Sequence, residues 1–135
     1  MAPWLSEEWT RQVGAASDLL PSVDGLSASV NLVIAVSRRE EVRVSWRYAD
    51  GVPAESPAGE SSADLEMSVS AEEAADLFTG RVEPSVAFMR GRLKATGNQA
   101  VMLGFLQSTS KPAFTRWRDE ALALADPAKR PTFTE

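Results

Sequence analysis

The chain has no cysteine and no histidine among its 135 residues. Without cysteine it can form neither a disulfide framework nor a thiol redox centre, and a reducing cytoplasm is its simplest setting. Without histidine it lacks the commonest general base, the usual nitrogen ligand of zinc and the Ser-His-Asp nucleophile system. Carboxylates and lysines can still catalyse reactions, so these absences disfavour an enzyme without excluding one.

Long hydrophobic runs and clusters of one charge are also missing. The longest apolar stretch, residues 30–36, contains Asn31 and is far shorter than the roughly 20 residues of a membrane span. The beginning of the sequence lacks the features of a signal peptide. The net charge is −5, which disfavours nucleic acid as a partner and gives no long-range attraction to anionic membranes. We expect a cytoplasmic protein without stable membrane insertion.

The composition is that of one globular domain. Hydrophobic residues make up 44% and charged residues 24% of the chain, which is an ordinary balance for a folded protein of this length. A domain of this size can bury a core and a modest cavity without disulfides or metals. We expect one domain over residues 1–125. Residues 126–135 are polar, contain two prolines and are predicted to form a flexible tail.

Alternating apolar and polar residues predict four strands, over residues 27–36, 41–49, 63–69 and 92–96. A fifth strand has only weak candidates, residues 82–83 or 109–111. Residues 50–62 are rich in proline, glycine and serine and predict a loop. This loop is interpreted either as a hairpin insertion or as a lid over a pocket.

Helical periodicity predicts helices over residues 6–20, 71–79, 85–90, 99–106 and 111–125. Ser6, Ser70 and Asn98 stand where side chains cap helix starts, and Glu73 completes a capping box with Ser70. The helix over residues 99–106 is apolar on nearly every side, which predicts that it is buried.

A motif covers residues 77–98. A helix ends at Gly80, the run Ala87-Phe88-Met89 lies in a short helix, and Gly91 and Gly97 bracket a basic-apolar strand that contains Leu93 and Lys94 and is followed by Asn98. This segment resembles the motif of the sterol carrier protein 2 (SCP-2) lipid-transfer domain, and more specifically its stand-alone bacterial type. Arg92 stands where that family usually has a lysine, so the charge is kept.

The resemblance implies a fold and a function. It implies an α+β fold in which a mixed, mostly antiparallel five-stranded sheet is covered on one face by about five helices. It also implies a non-catalytic domain that holds a fatty acid, an acyl-CoA, a sterol or a similar apolar ligand in a hydrophobic tunnel. No cofactor and no metal are expected.

The tunnel is expected to be lined by apolar residues of the motif and of the helices beside it. Methionine and phenylalanine suit ligands of variable shape because their side chains repack at low cost. At any single one of these positions plain core packing is the commoner role of an apolar helix residue, so the tunnel is predicted for the set as a whole. Arg92 and Lys94 are candidates for a lipid headgroup or a tunnel entrance, or they are solvated strand charges. The predicted tunnel residues are Phe78, Phe88, Met89, Val101, Met102, Phe105, Leu106 and Trp117.

Two other interpretations stay open. In the first, the chain is an accessory or dimerising module whose partner is a second copy or an enzyme. Exposure of Trp4, Trp9 or Trp117 would favour this interpretation. The third and weakest interpretation is an enzyme that uses the carboxylates of Glu72 and Glu73. These acids are better explained by the dipole and the cap at the helix start.

Overall fold

The computed structural model describes residues 2–56 and 63–127. Its strands are β1 (Ala28–Ala35), β2 (Glu41–Ala49), β3 (Val52–Glu55), β4 (Leu65–Ser70) and β5 (Lys94–Gly97). Its helices are α1 (Glu7–Ala15), α2 (Ala71–Thr79), α3 (Pro84–Met89), α4 (Gln99–Ser108) and α5 (Pro112–Ala123), with a 3₁₀ turn over Ser17–Leu19 after α1.

The five strands form one sheet in the order β3-β2-β1-β4-β5. The central strand β1 pairs antiparallel with β2 and parallel with β4, so Leu32 lies between Val44 and Met67. The edge strands β3 and β5 pair antiparallel with β2 and β4. The mixed, mostly antiparallel five-stranded sheet that the resemblance implies is therefore confirmed.

The candidates for the fifth strand were wrong. The fifth strand is Val52–Glu55, inside the segment predicted as a loop. Pro53, which has no backbone N–H, pairs opposite Tyr48, and an edge strand tolerates proline because one of its sides forms no ladder. Residues 57–62 of the predicted loop lie outside the described residues, so the lid interpretation stays a prediction.

The predicted helix starts are confirmed by hydrogen bonds. Ser6 Oγ accepts from the N–H of Trp9 at 3.1 Å, and Ser70 Oγ accepts from the N–H of Glu73 at 3.1 Å. Asn98 Oδ1 accepts from two backbone N–H groups at the start of α4. The capping box was wrong in its second half: Glu73 Oε1 accepts from Arg92 Nε at 2.7 Å and so binds the neighbouring motif segment.

The helices cover one face of the sheet, as expected. Val30, Leu32 and Ile34 of β1 are buried on that face. The opposite face is polar and carries an ion pair between Arg43 and Glu66 at 3.7 Å. This arrangement places a single apolar layer between the sheet and the helices.

The two chain ends of the described part meet. Ala2 forms a bridge with Ala125, and the Asp126 N–H donates to the Ala2 carbonyl oxygen at 2.7 Å. Residues 128–135 of the predicted tail lie outside the described residues.

Helix α4 is less buried than its composition predicted. Only Val101, Phe105 and Ser108 of its residues are buried, and Leu103 is 57% exposed. The prediction failed because an apolar composition on every side does not say how many sides have neighbours. Helix α4 is an outer helix whose apolar outer face has no cover among residues 2–56 and 63–127.

Candidate functional site

A cavity of about 30 Å³ lies between the sheet and the helices. A cavity of this volume has room for one or two water molecules. Its floor is formed by sheet residues and its roof by residues from the segments over the sheet. The lining residues are Leu32, Trp46, Met67, Leu77, Phe78, Pro84, Leu93, Phe105, Phe114, Trp117 and Arg118.

A continuous cluster of seven aromatic rings borders this cavity. Trp117 occupies its centre and lies 5.7 Å from Phe78, 5.7 Å from Phe114 and 5.8 Å from Trp46, measured between ring centroids. Trp4 and Trp9 extend the cluster from Phe78, and Phe105 closes it between Trp46 and Phe114. Tilted and edge-on pairs at such distances are mutually attractive. The cavity is thus framed by large, rigid, apolar surfaces.

Buried polar atoms near the cavity have few partners. Within the described part of the chain, the atoms Trp46 Nε1, Trp117 Nε1 and Arg118 Nε of cavity-lining residues form no hydrogen bond, and neither does Tyr48 Oη, which lies further along β2. Burial raises the pKa of Tyr48 to about 12, and the neighbouring Trp46 side chain only partly offsets this shift. The Trp46 and Tyr48 side chains are neighbours without a hydrogen bond between them. The cavity is therefore lined mainly by apolar side chains, with two indole N–H groups and the Arg118 guanidinium as its polar groups.

The structure brings three of the eight predicted tunnel residues together. Phe78, Phe105 and Trp117 are buried and line the cavity. They come from α2, α4 and α5, so the roof of the cavity draws on three separate helices.

The other predicted tunnel residues lie elsewhere. Phe88, Met89 and Leu106 line an external groove of about 680 Å³ between α3 and α4, and Met89 is 84% exposed. Val101 lines a second groove on the other side of α4. Met102 is half-buried against the core. The sequence placed all of these on apolar helices but could not separate the inner from the outer face.

The side chains of Arg92 and Lys94 lie in different surroundings. Arg92 Nε donates to Glu73 Oε1 at 2.7 Å, and Arg92 Nη2 lies 3.7 Å from Asp76 Oδ2. Lys94 pairs with Ser68 in the sheet, and the next residue, Ala95, pairs with the cavity residue Met67. Because strand side chains alternate, Lys94 lies on the face away from the helices. Arg92 thus binds α2, and Lys94 is exposed on the polar face of the sheet.

Sequence reasoning missed the floor of the cavity. The period-two pattern of β1, β2 and β4 placed Leu32, Trp46 and Met67 on apolar strand faces, which could have included them among the candidates. The contribution of Pro84 and Leu93 had no comparable signal, because their position over the sheet depends on the whole fold.

Other kinds of site have little support in the described part of the chain. Residues 2–56 and 63–127 contain no group of acidic side chains able to hold a metal ion. None of the helices described is long and apolar enough to cross a membrane. Glu72 and Glu73 occupy the first turn of α2, as their structural interpretation requires.

Comparison with solved structures shows the same fold in two proteins at 18% identity. A conserved protein from Thermus thermophilus, suggested to be a sterol carrier protein, has a TM-score of 0.67 over 94% of each chain. A crystal structure of sterol carrier protein 2 has a TM-score of 0.59 and covers 87% of this chain and 96% of that one.

A family model agrees with these structures, whereas no curated protein matches the chain. The model described as the SCP-2 sterol transfer family matches residues 16–107. That range contains the whole motif, all five strands, α2, α3 and nearly all of α4. The chain therefore belongs to the SCP-2 sterol transfer family.

Proposed function

We propose that this protein binds the apolar part of a lipid between its sheet and its helices and carries it without changing it chemically. The ligand class is a fatty acid, an acyl-CoA, a sterol or a molecule of similar apolar length. The observation that carries the proposal is the position and nature of the cavity, which is bordered by aromatic and aliphatic side chains from both layers. Family membership supports the same function.

The energetics of an apolar site suit a carrier. Each buried CH₂ group gains about 0.8 kcal/mol relative to water. Relative to a membrane interior the same group gains almost nothing, because its surroundings are equally apolar. A ligand held in this way is kept from water during transfer, and its release to a membrane involves only a small change in free energy.

The cavity must enlarge to accept such a ligand. Sites for small molecules have volumes of roughly 300–1,000 Å³, whereas this cavity has about 30 Å³. A single layer separates it from the α3–α4 groove: Pro84 and Phe105 line the cavity, and their neighbours Ser85 and Leu106 line the groove. Outward movement of α3 and α4 would merge the two spaces. Phe88, Met89 and Leu106 would then join Phe78, Phe105 and Trp117 along one ligand.

The accessory-module alternative has less support. This alternative would be favoured by exposed tryptophans, but Trp9 and Trp117 are buried and Trp4 is half-buried against the core. The small volume of the cavity is the feature that this alternative explains most simply. Uptake of a ligand by the folded protein separates the two.

The test is uptake of a fluorescent fatty acid from solution, with native mass spectrometry of the same samples. Micromolar binding with one ligand per chain is expected. Leu32→Phe fills the floor of the cavity and should weaken uptake, whereas the matched change Leu19→Phe on the surface should not. Folded wild-type protein that takes up no ligand at micromolar concentration would contradict the proposal.

A further inference from the structure

Arg118 of α5 places a largely buried cation beside an apolar cavity. It lines the cavity between the sheet and the helices, and its side chain is 14% exposed. Its Nε atom is buried and forms no hydrogen bond in the described part of the chain. A charge removed from water lowers stability unless an opposite charge or hydrogen bonds compensate it. The groups around Arg118 therefore decide whether its charge is balanced.

Only one acidic side chain lies within 4.0 Å of Arg118 in the part of the chain that the structure describes. It is Asp119, whose Oδ1 atom is 4.0 Å from Arg118 Nε and whose side chain is 70% exposed. Water screens such a contact, so it contributes little. The acids of α2 bind another arginine: Glu73 accepts from Arg92, and Asp76 lies 3.7 Å from the same guanidinium. Within the described chain, no buried acid neutralises Arg118.

The end of α2 makes room for the guanidinium. Gly80, the left-handed residue that ends this helix, has no side chain, and a Cβ atom there would lie 3.0 Å from Arg118 Nη2. The carboxyl end of a helix is the negative end of its dipole and favours a nearby cation. This end carries only a fraction of a charge, so it compensates Arg118 in part.

A second donor without an acceptor lines the same cavity. Trp117 is 3% exposed, and its Nε1 atom forms no hydrogen bond within the described residues. An indole N–H can only donate, so it requires an acceptor. The Trp46 N–H also lacks an acceptor, but the Tyr48 side chain is its neighbour. Consecutive residues of α5 thus bring a cation and a buried N–H to one apolar cavity.

We propose that the ligand is a long-chain carboxylic acid whose carboxylate binds inside the cavity, at Arg118 and at the indole N–H of Trp117. This rests on the proposed function and selects one of its ligand classes. A carboxylate supplies both the negative charge and the oxygen acceptors that these two side chains lack. The cavity of about 30 Å³ has room for one or two water molecules, which is about the space of two carboxylate oxygens.

This position of the carboxylate also sets the direction of the ligand. The carboxylate stays in the cavity, and the acyl chain passes Phe105 and Pro84 towards the groove between α3 and α4. A sterol has no group with a full negative charge. An acyl-CoA carries at this end a large polar group that a small apolar cavity does not hold. Arg118 is thus a specificity-determining residue for free acids.

The experiment titrates the protein with dodecanoic acid and with its methyl ester, followed by tryptophan fluorescence and native mass spectrometry. The wild type should bind the acid about ten-fold or more tightly than the ester, because Arg118 is already removed from water before the ligand binds. Arg118→Met should weaken binding of the acid by a similar factor and leave binding of the ester within about two-fold, since the cavity keeps its apolar lining.

Arg116→Met is the matched control, because Arg116 is an exposed arginine on the same helix. This variant should keep the preference for the acid, and circular dichroism should show both variants folded. An independent measurement is the indole N–H resonance of Trp117. It should move downfield when the acid binds and much less when the ester binds, because a charged acceptor forms the stronger hydrogen bond.

The carboxylate site and the proposed function can fail separately. Equal affinity of the wild type for acid and ester would overturn the carboxylate site, and so would an unchanged preference in Arg118→Met. Either result leaves ligand binding in the cavity intact. Folded wild-type protein that binds neither compound would overturn both proposals. If Arg118→Met does not fold, the comparison of acid with ester in the wild type decides.

Discussion

The Trp9 indole nitrogen donates a hydrogen bond to the backbone carbonyl oxygen of Ala121 at 2.8 Å. This bond joins the beginning of the chain to α5 across the buried aromatic cluster. Trp9 also lies 5.4 Å from Phe78, whose ring lines the cavity. The first helix therefore supports one side of the candidate site without lining it.

Trp9→Phe is expected to lower the free energy of unfolding by about 2 kcal/mol, because it removes this hydrogen bond and leaves a partly empty volume. Chemical denaturation measures the change. Trp4→Phe is the control: Trp4 is only half-buried and should cost less. An equal loss in both variants would contradict a specific role for the bond to Ala121.

Replacing each of two motif glycines by alanine should lower stability by different amounts. At Gly97, with a φ of 117°, a Cβ atom would overlap the carbonyl oxygen of Asp64, whereas at Gly91, with a φ of 74°, it would meet open space. Gly91→Ala should cost about 1 kcal/mol, for the left-handed backbone alone. Gly97→Ala should cost clearly more, since the β4–β5 contact must move.

Thermal or denaturant unfolding of these two variants provides the measurement. Similar losses of stability would show that the close approach of Gly97 to β4 does not matter.

Tyr48 should make stability fall at high pH. Burial raises the pKa of its phenol to about 12 from the ordinary value of 10.0. Between these values the unfolded chain loses the proton while the folded chain keeps it, so stability decreases as pH rises, by an amount on the order of 2–3 kcal/mol across the window. Well below pH 10, Tyr48 is protonated in both states, so its titration no longer changes the free energy of unfolding.

Tyr48→Phe should remove that alkaline loss and change stability little at neutral pH, because Tyr48 Oη has no hydrogen-bond partner in the described part of the chain. Tyr48 is the only tyrosine, so absorbance of the phenolate reports its titration directly. A normal titration near pH 10 in the folded protein would contradict the effect of burial.

The ion pair between Glu73 and Arg92 should contribute little to the free energy of unfolding, and no turnover activity should depend on it. The Glu73 side chain is 14% exposed, but the Arg92 side chain is 36% exposed and open to solvent, and pairs that solvent screens are worth about 1 kcal/mol or less. A double-mutant cycle with Glu73→Ala and Arg92→Ala should therefore give a coupling of that size. A turnover activity that Glu73→Gln abolished without loss of stability would revive the enzyme interpretation.

Much of this architecture could be read from the sequence because local signals matched the global fold. The alternation of β2 gave its bounds, Glu41–Ala49, and the side-chain caps gave the starts of α1, α2 and α4. The strand at Val52–Glu55 was missed because Pro53 and nearby turn residues conceal it, and its pairing with β2 is a tertiary feature.

The site was harder to predict than the fold. Apolar periodicity identifies which helix faces are hydrophobic but not which of these faces pack against the sheet. Phe105 and Met89 therefore looked alike in the sequence, although Phe105 is buried and Met89 is exposed. The volume of the cavity depends on how closely Trp46, Phe105 and Trp117 approach each other across three elements. No local pattern encodes such distances.

The most direct test of ligand binding between the two layers is a set of nuclear Overhauser contacts from a labelled fatty acid in complex with the protein. The account predicts cross-peaks from the acyl chain to the rings of Trp46, Phe105 and Trp117. A saturated complex whose acyl chain contacts only the surface side chains of α3 and α4, with no cross-peak to these rings, would contradict it.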